Sequence, residues 1–287
     1  MKGYEIMTQK ELELTAYKIR RDILTEIYNA KSGHPGGSLA IAEILSVLYF
    51  KEMNIDPKNP SDPDRDRFVL SKGHCAPALY AALAHRGFFP VEDLPSLRKI
   101  DSYLQGHPDM RKVPGVDMST GSLGQGVCAA NGMAMAAKLD GKSYRVYTIL
   151  GDGELEEGQV WEAAMFAPHY KLDNLTAFID LNLLQIDGDV RKVMNPTPVD
   201  KKFEAFGWNV ISICGHNIDE IIGAIDKAKQ VKGKPTVIIC NDVKGKGVSF
   251  MENEAGWHGN APNEEQYNLA VAEIDKKIEE LEGEING

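Results

Sequence analysis

Apolar residues recur along the chain with two alternating periods. Leu12, Ala16, Ile19, Ile23 and Ile27 fall at helical spacing behind Thr8 and Glu11, which have the form of a capping box, so a helix is predicted over 9–30. A glycine-rich stretch at 31–38 breaks the pattern, and Ser38 is placed to cap a second helix over 39–50. β-branched and apolar runs at 67–70, 144–150, 175–180, 208–213 and 236–240 read as strands. Helices are predicted between them at 76–85, 94–104, 127–139, about 154–168 and, capped by Asn217, 218–231. Residues 54–66 and 182–199 read as connections, the second as a loop over the sheet edge. A charged helix at about 264–281, with a narrow stripe of Leu269, Ile274, Ile278 and Leu281, is expected to pack on the outside. Alternating strands and helices imply an α/β fold: a doubly wound, mostly parallel sheet flanked by helices, with ligands at its carboxyl edge and residues 1–287 forming one domain.

Composition narrows the class without naming a reaction. With 43% hydrophobic and 26% charged residues the chain is ordinary for a globular protein, and no run is apolar enough to span a membrane. Residues 1–7 lack the basic and apolar regions of an export signal, and Cys75, Cys128, Cys214 and Cys240 are widely spaced, so a reducing cytoplasm is expected. A net charge of -10 argues against a nucleic-acid partner, which needs a basic face.

Chemistry concentrates where the strands end. Gly151 and Gly153 flank Asp152 directly after an apolar strand, and the helix expected behind them would offer amide N–H groups to an anion. Asn182 follows the next strand, so a right-handed crossover brings Asp152 and Asn182 to the same sheet edge. Two oxygen donors, with the Leu184 carbonyl as a third, suit magnesium, which keeps phosphate oxygens and water among its ligands. Three further turns each present a histidine: His34 before Pro35-Gly36-Gly37, His74 after Ser71-Lys72-Gly73, and His107 after Gln105-Gly106. Gly121 to Gly126 makes another small-residue turn, and His258 lies in a glycine-rich segment beyond the last strand. His85, His169 and His216 read as surface or packing residues, and Glu154 and Glu156 as acids favourably placed in a helix's first turn.

Taken together, residues 32–37, 71–74, 106–108, 120–126, 151–153 and 182–188 resemble, in order and spacing, the amino-terminal half of a transketolase; the resemblance runs from about Leu12 to His258. A full-length transketolase is more than twice as long. The resemblance therefore implies the amino-terminal subunit of a split enzyme, completed by a separate carboxyl-half subunit in a two-plus-two assembly. It implies thiamine diphosphate and Mg2+, with Ca2+ or Mn2+ as substitutes, and reversible transfer of a two-carbon ketol unit between sugar phosphates, as in pentose phosphate metabolism. It further implies Asp152, Asn182 and the Leu184 carbonyl as metal ligands, and His74, Gly121, Gly151, Gly153 and His258 around the cofactor. Leu123 and Ile186 would hold its thiazolium. His34, His107 and His258 would meet the sugar hydroxyls and reacting carbonyl, and Glu157 would reach toward the partner's catalytic glutamate. The alternatives are a deoxyxylulose-phosphate synthase-like or 2-oxo acid dehydrogenase α-like subunit, which share the Gly-Asp-Gly motif, and a non-catalytic cofactor-binding regulatory subunit.

Overall fold

The computed structural model describes residues 7–287; the segment read above for an export signal lies almost wholly outside them. Five parallel strands form the sheet: β1 (Arg67–Leu70), β2 (Val146–Gly151), β3 (Leu175–Leu181), β6 (Asn209–Cys214) and β7 (Thr236–Asn241), in the spatial order β1-β2-β3-β7-β6. A two-residue hairpin, β4 (Leu184–Gln185) with β5 (Gly188–Asp189), stands apart from it. Side chains alternate across the strands because the pleat has a period of two. On one face Tyr147, Ile149, Phe178 and Ile238 pack beneath α1 (Gln9–Ala30), α2 (Pro35–Ala40), α3 (Ala42–Val47), α4 (Ala76–Arg86), α9 (Ile218–Gln230) and α10 (Glu264–Asn286). On the other, Val146, Leu150, Ala177 and Ile179 pack against α5 (Gln125–Leu139), α6 (Gly158–His169) and α8 (Val199–Phe206). The expected doubly wound arrangement is therefore present, with all five strands ending on one edge.

Several boundaries differ from the sequence reading, for local reasons. Thr8 and Glu11 do form the capping box of α1. The helix expected from 39 begins instead at Pro35, whose fixed φ suits a first helical position, so His34 occupies the cap and Ser38 donates to the His34 carbonyl at 2.7 Å. No helix covers 94–104: a 3-10 turn, Val91–Ser96, contains Pro95, and Arg98 and Asp101 then take left-handed φ values of 61° and 67°. The helix expected from 154 is split, because Glu157 is extended (φ -74°, ψ 125°) between a 3-10 turn, Gly153–Glu156, and α6. Residues 182–199 are more ordered than a loop: besides the hairpin they hold α7 (Val190–Val193) and the start of α8. In α10, Ala270, Ile274 and Leu281 are buried while Leu269 is 54% exposed, which moves one position of the expected stripe. All four cysteines are free, and no helix among the described residues is long and apolar enough to cross a membrane.

Beneath the first face lies a buried ion pair, Arg20 to Glu43 at 2.5 Å, with His216 Nδ1 3.2 Å from the same Glu43 oxygen. Arg20 and His216 together hold the Glu43 carboxyl down at about 2 despite its burial. His85 pairs with Asp22 at 2.7 Å, so both histidines are engaged in packing. Arg20→Met would leave Glu43 charged and partly uncompensated in the core. The expected cost is about 3–5 kcal/mol of unfolding free energy, read from urea denaturation; a loss well under about 1 kcal/mol would show that the pair carries no such weight.

Candidate functional site

Because β1, β2, β3 and β7 run parallel, the turns that follow them converge, and they enclose a cavity of about 340 Å3. Asp152, immediately after β2, is 2% exposed; its Oδ1 accepts from the Gly153 amide at 2.8 Å and its Oδ2 from the Leu183 amide. Leu183 sits at φ +63°, a left-handed conformation that costs a leucine about 1–2 kcal/mol. That turn points its amide at Asp152. Asn182 donates through Nδ2 to Asp180 at 2.9 Å, while its Oδ1 accepts from the Leu184 amide at 3.0 Å. Burial, reinforced by the charge of Asp180, pushes the Asp152 carboxyl up to about 7. A cation beside it would reverse that shift.

Two lysines that the sequence reading passed over line the same cavity. Lys72 is 1% exposed, and its ammonium donates to Asp180 at 2.5 Å and to the Gly37 carbonyl at 2.9 Å. Lys244 is 2% exposed and reaches the Leu184 carbonyl at 3.1 Å; burial lowers its pKa, offset in part by Asp180. Glu154, read from sequence as a favourably placed helix-turn acid, is instead buried. Its carboxylate accepts from the Gly124 amide at 2.9 Å, the Gly151 amide at 3.1 Å and the Ser71 hydroxyl at 2.5 Å. Three of the turns singled out in the sequence are thus joined at one side chain. None of these residues belongs to a periodic pattern; only the turns they anchor were visible.

Above this floor stand three imidazoles. The ring centroids of His34, His74 and His258 lie 5.1, 5.5 and 5.3 Å apart in pairs. Burial and the neighbouring cations lower their pKa values, to about 4 for His34 and about 3 for His74 and His258. After burial, the next cause for His34 is the His74 ring beside it; for His74 it is the Lys72 ammonium, and for His258 that of Lys244. All three are neutral at pH 7 and offer one donor and one acceptor each. The Nδ1 atoms of His34 and His258 are buried without a partner, as befits groups awaiting a polar ligand. Gly121, Gly151, Gly153 and Glu157 also line the cavity, with Leu123 (36% exposed) and Ile186 (65% exposed) presenting apolar surface. His107 stands apart from the trio. It lines an adjoining cavity across Gly121, where a Cβ would lie 3.1 Å from the His107 ring.

The donor set fits a divalent metal bound to a diphosphate. Asp152, Asn182 and Leu184 supply only hard oxygens, and one carboxylate leaves the remaining positions to phosphate oxygens and water. Lys72 and Lys244 supply the positive charge such an anion needs.

Residues 13–277 match the family described as transketolase, thiamine diphosphate binding domain. The chain is 51% identical over 269 residues to the 6-deoxy-6-sulfo-D-fructose transketolase subunit SqwG of a Clostridium species, covering 94% of this chain and 98% of that one. It is 44% identical over 281 residues to one subunit of the apulose-4-phosphate transketolase of Phocaeicola vulgatus, covering 98% of this chain and 100% of that one. Among solved structures, the transketolase of Campylobacter jejuni superposes with a TM-score of 0.84 at 33% identity, over 98% of this chain but 49% of that longer one. The chain belongs to the transketolase family, as the amino-terminal, thiamine-diphosphate-binding subunit of a split transketolase.

Proposed function

We propose that this subunit, paired with a carboxyl-half subunit in a two-plus-two assembly, moves a two-carbon ketol unit reversibly from a ketose carrying an anionic terminus to an aldose. The observation that carries this reading is the convergence, in one cavity, of three neutral imidazoles over Asp152, Asn182 and two buried lysines. One relative is named for a sulfo-sugar and another for a sugar phosphate, so an anionic terminus is the feature we carry over, and a sugar phosphate the substrate class. We take the chain as one domain working in the cytoplasm, consistent with its four free cysteines.

In this reading Asp152, Asn182 and the Leu184 carbonyl hold Mg2+, with Ca2+ or Mn2+ as substitutes, and Lys72, Lys244, His74 and the Gly153 amide hold the diphosphate. Gly121 and Gly151 leave room for it, and Leu123 and Ile186 pack against the thiazolium. Thiamine diphosphate, when bound, supplies the carbanion and electron sink that ketol transfer requires. The protein's part is orientation and proton movement. His34 and His258 stand edge to face with ring centroids 5.5 Å apart, so both can reach a carbonyl or hydroxyl held beside them and take part in moving its proton, and His107 approaches the sugar from the Gly121 side. Keeping these rings neutral preserves both their donor and acceptor nitrogens. Glu157, exposed at the head of α6, is free to reach a carboxylate of the companion subunit.

Three outcomes test this reading. The purified chain alone should show no ketol transfer, and a coupled assay should detect turnover once the companion subunit, Mg2+ and thiamine diphosphate are added; appreciable turnover by the single chain would sink the split-enzyme reading. Asp152→Ala should abolish Mg2+-dependent cofactor binding by the assembled enzyme, and unchanged binding in calorimetry would remove Asp152 from the ligand set. The third concerns pH. The unfolded chain takes up protons on its histidines below about 6.5, whereas His34, His74 and His258 refuse them until about 3–4. Stability is therefore full above the unfolded value and falls as pH drops toward the folded one. His258→Asn should flatten the decline of melting temperature between pH 7 and 5; an identical slope in the variant contradicts the assignment.

A further inference from the structure

His107 is carried by a segment without helix or strand: residues 97–124 are all described and form only turns and bends. A side chain on such a segment is only as well placed as the bonds that hold its backbone. Upstream the hold is firm. Leu104 is fully buried, its carbonyl accepts from the Arg98 amide at 2.9 Å, and Gln105 Nε2 donates to the Ser102 carbonyl at 2.5 Å. The next three carbonyls are each engaged by a side chain. The Tyr80 hydroxyl lies 2.9 Å from the Gln105 carbonyl oxygen and 3.1 Å from that of His107, and the Arg98 guanidinium lies 3.5 Å from that of Gly106. Gly106 leaves room for that guanidinium, since a Cβ there would stand 2.5 Å from Arg98 Cζ.

Tyr80 is not a cavity residue. It is fully buried in α4, directly beyond the 3-10 turn Gly73–Cys75 that carries His74. One helix therefore supports His74 through its amino-terminal backbone and His107 through a phenol little more than a turn further on. Burial, reinforced by the nearby Glu26 carboxyl, raises the pKa of that phenol, so it remains a donor at any working pH. Its two acceptors belong to a partly exposed turn, where water can replace the hydroxyl without unfolding the helix.

We propose that Tyr80 is the positioning residue for His107: by sharing its single hydroxyl proton between the carbonyls on both sides of Gly106, it sets the imidazole against Gly121 and so fixes where the fourth histidine meets the sugar. The catalytic consequence rests on the ketol-transfer reading above; the geometric one does not. Without the hydroxyl the turn loses its only bond spanning Gln105 and His107 among the described residues, and His107 is free to swing while His34, His74 and His258 stay in place.

The test is Tyr80→Phe in the full chain, with histidines labelled for NMR. The His107 ring resonance should shift, and its pKa should rise toward the ordinary value from the lowered position that burial and Arg98 now impose. The resonances of the other three rings should remain. In the assembled enzyme with Mg2+, thiamine diphosphate and a ketose phosphate, kcat/KM should fall about tenfold or more while cofactor affinity stays within about twofold. The same substitution should cost nothing further in a His107→Ala background. If the Phe variant does not fold, Tyr80→Met, whose flexible side chain can fill much of the space, should give the same pattern. An unmoved His107 resonance, or an equal kinetic loss in both backgrounds, overturns the proposal. A moved resonance with unchanged kinetics upholds the positioning and removes His107 from the reaction.

Discussion

The site depends on one buried carboxylate. Glu154 accepts from a hydroxyl and two amides that belong to three turns, at Ser71, Gly124 and Gly151, and it is this convergence that lets separate strand ends act as one surface. Burying a carboxylate raises its pKa, and here the shift is opposed by the Ser71, Gly124 and Gly151 hydrogen bonds. Such a bond set is worth having only when complete, because each orphaned amide in a dry site costs about 1–3 kcal/mol. The turn holding Asp152, the turn leading to His74 and the turn leading from Gly121 are therefore coupled: displacing any one leaves the other two with an unsatisfied partner.

A second constraint follows from charge. Lys72 and Lys244 are buried beside the cavity, with Asp180 at 2.5 Å from Lys72 and the Leu184 carbonyl accepting from Lys244. Together with burial, the same two cations depress the pKa of His74. Groups suited to holding an anion thus also keep a nearby imidazole neutral, so that it meets a ligand as a hydrogen-bonding group and not as a third cation. Asp180 completes the arrangement by accepting from the Asn182 amide nitrogen, which fixes the direction in which the Asn182 carbonyl oxygen points.

Much of this was legible in the sequence, and what was not has physical causes. The strands, the long α1 with its capping box and the turns bearing His34, His74 and Asp152 all have local signatures of period, cap or glycine. Glu154, Lys72 and Lys244 have none, because their meaning lies in partners far away in the chain; Lys72 and Asp180 are separated by 108 residues. The helix α8 carries a signal, Val199, Phe203 and Phe206 at helical spacing, that starts only at the end of the 182–199 stretch which Pro196 and Pro198 mark as a loop. Glu157 falls in a stretch, about 154–168, whose composition as a whole is helical; its extended backbone breaks that helix and leaves Glu157 lining the cavity. Local propensity was overridden there by the need to place Glu154 inward and α6 on the sheet.

The acidic balance of the chain acquires a different meaning once its buried lysines are seen. At long range a protein of net charge -10 repels a diphosphate or a sugar phosphate, while within the cavity Lys72 and Lys244 attract it. The barrier lies outside, and the well is confined to contact with those two ammonium groups, because Asp152, Glu154, Glu156, Glu157 and Asp180 line the same cavity. Dissolved salt screens the barrier, which acts through water, far more than the well, which acts through protein. Moderate ionic strength therefore eases the approach of anionic ligands here, where for a protein with a basic surface it would slow them.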